Sequence, residues 1–388
     1  MPPYLPRSMQ TPPIHSGVEF AVVNDLETFL LLQNEWENLW HAVRGNPFQS
    51  FLYCLHALRE VAIPARANPH CIVGRKADRM VFVWPLIRYR EYFWHTVRPL
   101  THDVPEPSHL LVAHGEDAES LIQAAWRTLL SSSSSDVVNL PMLRTDSALY
   151  RFVLQSRWLS QGEWRVVGNA PLLQFGTWAH FRANLAESFR KRLDYDQRRL
   201  HRAGEASIFI PELNDPRSLA CVDTMLEWKR EWSARAGVTG DFFKTSYQKF
   251  LREILTDPSL NQYFRLFVLS LNGKPIAMNL IALAERAVIG MQSAYDPTQA
   301  KWSPGSVLQE YVLKWAFENR RDLDFGPGDS KYKLNWTGGL GYTCADIRIA
   351  TSHWGRSAFA ALTLQRWYER FRRLIAEGPL ARLRRSGS

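Results

Sequence analysis

FRLFVLSLNGKPIAMNLIALAERAVIGMQSAYDPTQAKWSPGSVLQEYVLKWAFENRRDLDF, the stretch from Phe264 to Phe325, decides the fold. Phe264 to Leu271 reads as a strand, Asn272-Gly273 as a tight turn, Ile276 to Ala284 as the return strand and Ala287 to Ala294 as a third. A helix follows from Pro304 to Asn319, because Val307, Leu308, Tyr311, Val312, Trp315 and Ala316 recur on one helical face. Leu323 to Phe325 closes the unit as a strand. The first half shows the same order. Cys71 to Gly74 and Met80 to Ile87 flank a polar turn at Lys76 to Arg79, and Leu110 to Val112 is a further short strand. A helix then runs from near Gly115 through Leu121, Ile122, Ala125, Trp126 and Leu129 to the Ser131 to Ser135 tract, and Val137 to Leu140 is a strand. The repeated order implies two copies of one α/β unit. Val18 to about Trp40 reads as a helix leading into the first copy. Trp178 to Gly237, between the copies, reads as mostly helical with a strand at Ser207 to Ile210.

The 388 residues fit about two domains, and a chain that is 46% hydrophobic with 15 Trp is globular. No run reaches the length of a membrane span and no secretion signal opens the chain, so the expectation is a cytoplasmic protein. Cys54, Cys71, Cys221 and Cys344 are widely spaced, which indicates neither a disulfide framework nor a zinc site, and the histidines show no metal spacing. The net charge of +9 lies in two segments: Arg182 to Arg202 has seven Lys or Arg against three acids, and Arg366 to Ser388 has seven Arg against two. The remainder is electroneutral, so two basic patches, and not a uniformly cationic surface, face any polyanion. Around Phe189, Leu193 and Leu200 the first segment reads either as a solvated helix with a narrow apolar seam or as an electropositive wall beside an anionic ligand.

Two local features carry chemistry. In Ser303-Pro304-Gly305-Ser306-Val307, Ser303 is a good N-cap, Pro304 has no N–H to leave unsatisfied, and Gly305 and Ser306 offer bare donors at the positive end of a helix. The sequence reads as an anion site or simply as a strong helix start. The matching helix of the first half opens with Glu116, Asp117 and Glu119, which repel phosphate; any pyrophosphate site belongs to the second copy. The other feature is Asp324-Phe325-Gly326-Pro327-Gly328-Asp329-Ser330-Lys331-Tyr332-Lys333, ahead of Trp336. Here Asp329 suits a general base, Tyr332 an acid for a leaving thiolate, and Lys331 and Lys333 the holding of negative charge. A surface turn with an exposed ion pair is the other reading. Tyr295 and Asp296 end the third strand beside this site.

Together with Phe189 to Leu200, Trp228-Lys229, Trp232, Gly237 and Asn272-Gly273, these elements resemble the acetyltransferase domain of the CelD-like proteins, named for cellulose biosynthesis and related to the FemAB branch of the GNAT superfamily. The resemblance covers about Trp178 to Ile349. It implies a mixed α/β (α+β), tandem GNAT-like fold of two mixed-sheet units flanked by helices. The expected division is a leader at 1–17, a degenerate GNAT-like domain at 18–177, an acyltransferase domain at 178–352, and a basic amphipathic helix and tail at 353–388. The implied donor is acetyl-coenzyme A or another acyl-coenzyme A held by Ser303 to Val307, without a metal. Asp329, Tyr332 and Lys333 are the implied catalytic groups, with Arg192, Lys229, Tyr295, Lys331 and Trp336 on the acceptor side. The implied acceptor is an amine or hydroxyl of an exopolysaccharide or envelope precursor. The motif departs from many GNAT enzymes in supplying one Gly and a Pro where they carry a Gly-rich loop.

In the tail, Phe359, Leu362, Trp367, Phe371, Leu374 and Ile375 alternate with arginines. Such a helix either lies on an anionic membrane surface, placing the protein peripheral to the inner membrane, or docks on the protein's own core. A FemX-like, aminoacyl-tRNA-dependent transferase, the one reading with a nucleic-acid partner, and a non-catalytic accessory protein of polysaccharide synthesis are the alternative functions.

Overall fold

The computed structural model describes residues 17–101, 110–132, 135–156, 162–174, 176–237, 244–326, 331–361 and 368. The first half comprises β1 (Val18–Val23), α1 (Leu26–Leu31), α2 (Gln33–Ala42), α3 (Phe51–Ala57), β2 (Asn68–Pro69), β3 (Cys71–Lys76), β4 (Arg79–Trp84), β5 (Leu86–Glu91), β6 (Trp94–Pro99), β7 (Leu111–Val112), α4 (Ala118–Ser132), β8 (Val137–Arg144), α5 (Ala148–Gln155) and β9 (Gly162–Leu173). The second comprises α6 (Trp178–Asn184), α7 (Glu187–Ala203), β10 (Ala206–Phe209), α8 (Pro216–Ala236), α9 (Thr245–Thr256), β11 (Phe264–Leu271), β12 (Lys274–Leu283), β13 (Ala287–Tyr295), α10 (Pro304–Glu318), β14 (Asp322–Asp324), α11 (Lys331–Thr337) and β15 (Gly341–Ala350). The expected leader lies almost wholly outside the described residues. Of the expected C-terminal helix, residues 353–361 are helical, while 362–367 and 369–388 lie outside them.

One correction concerns the start. Val18 to Val23 is a strand, not helix, and pairs antiparallel with β3. The Asp25 carboxylate then caps α1 by accepting the Thr28 N–H at 2.7 Å, so the helical pattern begins only at Leu26. The expected strands at 264–271, 276–284, 287–294 and 323–325 correspond to β11 to β14, and Asn272 and Gly273 take φ of 52° and 77°, as a two-residue hairpin turn requires. Cys54, Cys71 and Cys344 are buried, whereas Cys221 is half-buried.

The strand order exposes the duplication. β1-β3-β4-β7 form a four-stranded sheet whose counterpart is β10-β11-β12-β13, each followed by a helix (α4, α10), a strand (β8, β14), a helix (α5, α11) and a last strand (β9, β15). In the first copy β2, β5 and β6 carry the unit on into the large sheet, where β6 pairs parallel with β8 as β13 does with β14. The last strands are exchanged: β9 pairs with β14 of the second copy, and β15 pairs with β8 of the first. β9 and β15 also pair with each other, which fuses the halves into one 11-stranded sheet. A shared core reinforces this, with Tyr53 of α3 edge-on to Phe250 of α9 at 5.2 Å. Each fully buried aliphatic or aromatic side chain in such a core contributes about 1.5–3 kcal/mol.

Candidate functional site

The cleft arises where β13 and β14 part. They pair in parallel only as Ala287↔Asp322, Val288↔Leu323 and Ile289↔Asp324. Beyond that point β13 runs on to Tyr295 alone on this side, and a bulge against β12 moves the register from Leu280↔Gln292 to Ile281↔Gly290, leaving Met291 as the extra residue. Ser293 and Tyr295, two residues apart and therefore on one face, are both exposed.

A short helical turn, Pro297–Trp302, leads from β13 to α10, capped by Asp296 through the Thr298 N–H at 2.8 Å. This turn delivers Ser303 in the left-handed region, with φ 50° and ψ 43°. Ser303 is therefore not a side-chain cap, contrary to expectation; its carbonyl instead accepts the N–H of Ser306 at 3.0 Å and of Val307 at 3.3 Å. Pro304 occupies the first turn and is buried, as is Val307. The Gly305 N–H has no hydrogen-bond acceptor among the described residues, and its neighbour across the cleft is Tyr295, whose Cδ1 would lie 3.4 Å from a Cβ at 305. No acidic residue stands in the first turn. Glu310, further along, is buried, paired with the Arg182 guanidinium at 2.7 Å and accepting from the Gln197 amide at 2.8 Å. Just before the helix, Trp302 is flanked by two cations, Arg199 at 5.3 Å and Lys301 at 4.9 Å from its ring centroid.

Two helices converge on Ser293 of β13. The Tyr332 hydroxyl, from α11, hydrogen-bonds its side chain. Although 48% of Tyr332 is exposed, its hydroxyl end is buried against β13, and that burial raises the phenol above its usual range. Lys229, from α8, points its ammonium at the Ser293 carbonyl at 3.5 Å and lies 5.1 Å from the Trp232 ring. Burial holds the Lys229 amine below the usual lysine value. A phenol held protonated by burial and a partly desolvated amine thus share one wall of the cleft.

The floor is a polar network joining the halves. Asp324 is buried; its carboxylate accepts the Gly326 N–H and the Tyr342 hydroxyl, each at 2.8 Å, and burial pushes its carboxyl upward. Arg144 of β8 stacks on the Tyr342 ring at 4.0 Å and forms a fork to Asp146. Lys333 is 9% exposed and donates to the Gly326 carbonyl at 3.0 Å, so its ammonium fastens the turn after β14. Trp336 is 3% exposed and packs edge-on against Phe189 at 4.8 Å, within the core. Arg192 is exposed on α7 and pairs loosely with Asp196 at 3.7 Å. Asp329 lies outside the described residues, as does the side chain of Lys331, the residue that opens α11. The structure therefore brings together Gly305, Tyr295, Ser293, Tyr332 and Lys229. Sequence reasoning overlooked the Ser293 side chain and the Arg199–Trp302–Lys301 stack, and named Trp232 without giving it a role. The available signal for Ser293 was a lone serine near the end of the largely apolar run from Ala287 to Tyr295. Among the described residues, no three His, Cys, Asp or Glu side chains gather into a metal-binding group.

With that geometry established, residues 187–334 match the model of the acetyltransferase (GNAT) domain. The matched segment holds α7, the β10 to β13 sheet, α10 and β14, and so contains the cleft. No curated protein matches the chain in sequence. Solved structures share its fold. A conserved Bacteroides thetaiotaomicron protein of unknown function aligns at 10% identity over 86% of this chain and 100% of its own, with a TM-score of 0.55. FemX aligns at 9% identity over 86% of this chain and 97% of its own, TM-score 0.55. L-PGS from Bacillus licheniformis aligns at 12% identity over 86% of this chain and 95% of its own, TM-score 0.52. The chain is a mixed α/β protein whose fold is shared with FemX, and its residues 187–334 are similar to the GNAT acetyltransferase domain, a likeness that supports a transferase.

Proposed function

We propose that the protein moves an acyl group, acetyl in the simplest case, from coenzyme A to an amine or hydroxyl of an exopolysaccharide or cell-envelope precursor, as its CelD-like motifs suggest. The observation that carries this reading is the α10 start, free of acids in its first turn, with the bare Gly305 N–H opening onto the parted strands where Tyr332 meets Ser293. A pyrophosphate fits there through the helix dipole, the Gly305 amide and the cations at Arg199 and Lys301. The thioester then lies along β13, whose segment from Gly290 to Tyr295, paired with β12 but open on the β14 side, offers outward backbone N–H groups to the developing oxyanion.

In the reaction the acceptor nitrogen or oxygen forms a bond to the thioester carbonyl carbon, and the C–S bond breaks. Asp329 takes the acceptor's proton, and Tyr332, kept protonated by its burial, gives one to the departing thiolate. Lys333 fastens Gly326, three residues before Asp329 in the sequence. Trp336 supports α11 from below. Lys229 and Trp232 face the acceptor, and the exposed Arg192 adds positive charge to the acceptor side. The Arg-rich C-terminal segment brings the enzyme to an anionic membrane surface, peripheral to the membrane in which the precursor is made. No helix among the described residues is long and apolar enough to cross a membrane.

The test is thiol release from acetyl-coenzyme A in the presence of amino sugars, sugar nucleotides and polyprenyl-linked sugars. Acceptor-dependent thiol release with acylated product supports the reading. Transfer from an aminoacyl-tRNA alone assigns the FemX-like donor instead, and no transfer from either assigns a non-catalytic role.

A further inference from the structure

The hairpin between β5 and β6 lies near the edge of the large sheet opposite β10. At its tip Tyr92 and Phe93 are 64% and 68% exposed, and Tyr92 takes a left-handed φ of 55°, a conformation uncommon for a bulky residue. The next residue, Trp94, is buried at 7%. Its indole N–H donates to the Trp354 carbonyl at 3.1 Å and to Ser357 Oγ at 3.0 Å, fixing the start of the C-terminal helix against the hairpin base. Trp354 itself packs tilted against Trp94, ring centroids 5.9 Å apart, yet remains 54% exposed. Three large aromatic side chains thus stand in solvent around one buried Trp.

The charge around them is one-sided. Arg90, His353 and Arg356 are exposed. The neighbouring acids are engaged: Glu91 with Arg348 at 3.5 Å and Thr96 at 3.3 Å, and Asp136 with the His95 N–H at 3.0 Å and Ser352 at 2.7 Å. From this helix the chain continues into Leu362 to Ser388, which carries seven Arg against Glu369 and Glu377.

We infer that Tyr92, Phe93 and Trp354 form an interfacial anchor that enters the headgroup region of an anionic bilayer, held there jointly with the C-terminal arginines. This rests on the membrane reading proposed above and adds a second, structured element to it. Tyr and Trp favour the membrane–water interface, where an apolar ring and a polar tip are both satisfied. A basic segment alone acts only within a Debye length, and stable attachment takes two signals, one electrostatic and one inserted. A second copy is the poorer occupant, since self-association would set one cationic tail beside another.

The test is flotation of the full chain with vesicles of phosphatidylcholine containing about 30% phosphatidylglycerol, against phosphatidylcholine alone. The expected result is partition onto the anionic vesicles, weakened by salt and lowered about tenfold in Tyr92→Ser/Phe93→Ser and by a similar factor in Trp354→Ser. All three positions are exposed, so the variants fold, and unchanged donor binding checks this. Loss of binding in an Arg366, Arg370, Arg372, Arg373→Gln variant, with the aromatic variants bound as tightly as the native chain, overturns the anchor but leaves the tail. No binding of the native chain to anionic vesicles overturns the membrane reading itself. A dimer in solution that depends on Tyr92 and Phe93 assigns the surface to a second copy.

Discussion

The starts of α4 and α10 occupy matching places in the two copies, and they solve the same problem in opposite ways. At α4, Asp117 supplies its own anion: the carboxylate accepts the Glu119 N–H at 3.2 Å and the Ser120 hydroxyl, while its carbonyl takes the Leu121 N–H at 3.0 Å. Glu116 beside it is held by Lys76 at 2.9 Å. At α10 the N-cap side chain turns away, Pro304 has no N–H, and the Gly305 N–H is left for something outside the chain. A helix start filled by a carboxylate is a structural joint, whereas the one left open beside the cleft is the start we propose as the anion site. Duplication thus made two frames, and the capping residue decides which one is equipped to receive an anion.

The largest expected effect comes from giving α10 the charge that α4 has. Gly305→Glu should weaken coenzyme A binding on the order of a thousandfold, since like charges in contact cost several kcal/mol. The fold should survive, because the added Cβ makes only an ordinary contact with Tyr295. A circular dichroism spectrum like the native one, with calorimetric titration, checks both points.

The first copy should instead reveal itself in acid. His70 is 4% exposed, and burial together with Arg88 brings its imidazole from 6.5 down to about 4. Between those values the unfolded chain takes up a proton that the folded chain refuses, so stability is whole above 6.5 and falls as the pH drops towards 4. The loss reaches about 3 kcal/mol. Urea unfolding across pH 7 to 4 should show this slope in the native protein and a flatter one in His70→Gln.

Tyr332→Phe should lower kcat about a hundredfold with little change in donor affinity, and Asp329→Asn should likewise depress turnover more than binding. In the native enzyme the alkaline limb of kcat should lie above the ordinary tyrosine value, as the raised phenol requires. Full activity of the Tyr332 variant would remove it from the chemistry. The smallest effect is expected at the closed helix: Asp117→Ala should cost about 1 kcal/mol of stability, read by thermal unfolding, and leave donor binding untouched. A second donor site appearing in that variant would break the comparison.

Much of the second copy was legible in the chain. The apolar runs of β11 to β13, the Asn-Gly turn and the single apolar face of α10 are local signals. The last strands were not, because Gly162–Leu173 and Gly341–Ala350 are recognisable only by pairing across the halves, which no local pattern encodes. At the start, Asn24 and Asp25 marked a break that the helical periodicity from Phe29 onward obscured. The site shows the same division. The open helix start could be read from the absence of acids, but the left-handed Ser303 could not, since it is set by the turn before it. Within Tyr332 to Thr337, the spacing of Lys333, Trp336 and Thr337 places these three on one helical face, and that face is the buried one. Tyr332, off that face, is the member of the motif that reaches Ser293.

The central claim is that the chain holds one acyl-coenzyme A site, at α10. Calorimetric titration of the native protein and of Gly305→Glu with acetyl-coenzyme A tests it most directly. The account predicts saturable binding of one equivalent per chain, lost in the variant. Absence of binding in the native protein, two equivalents per chain, or binding unchanged in Gly305→Glu would contradict it.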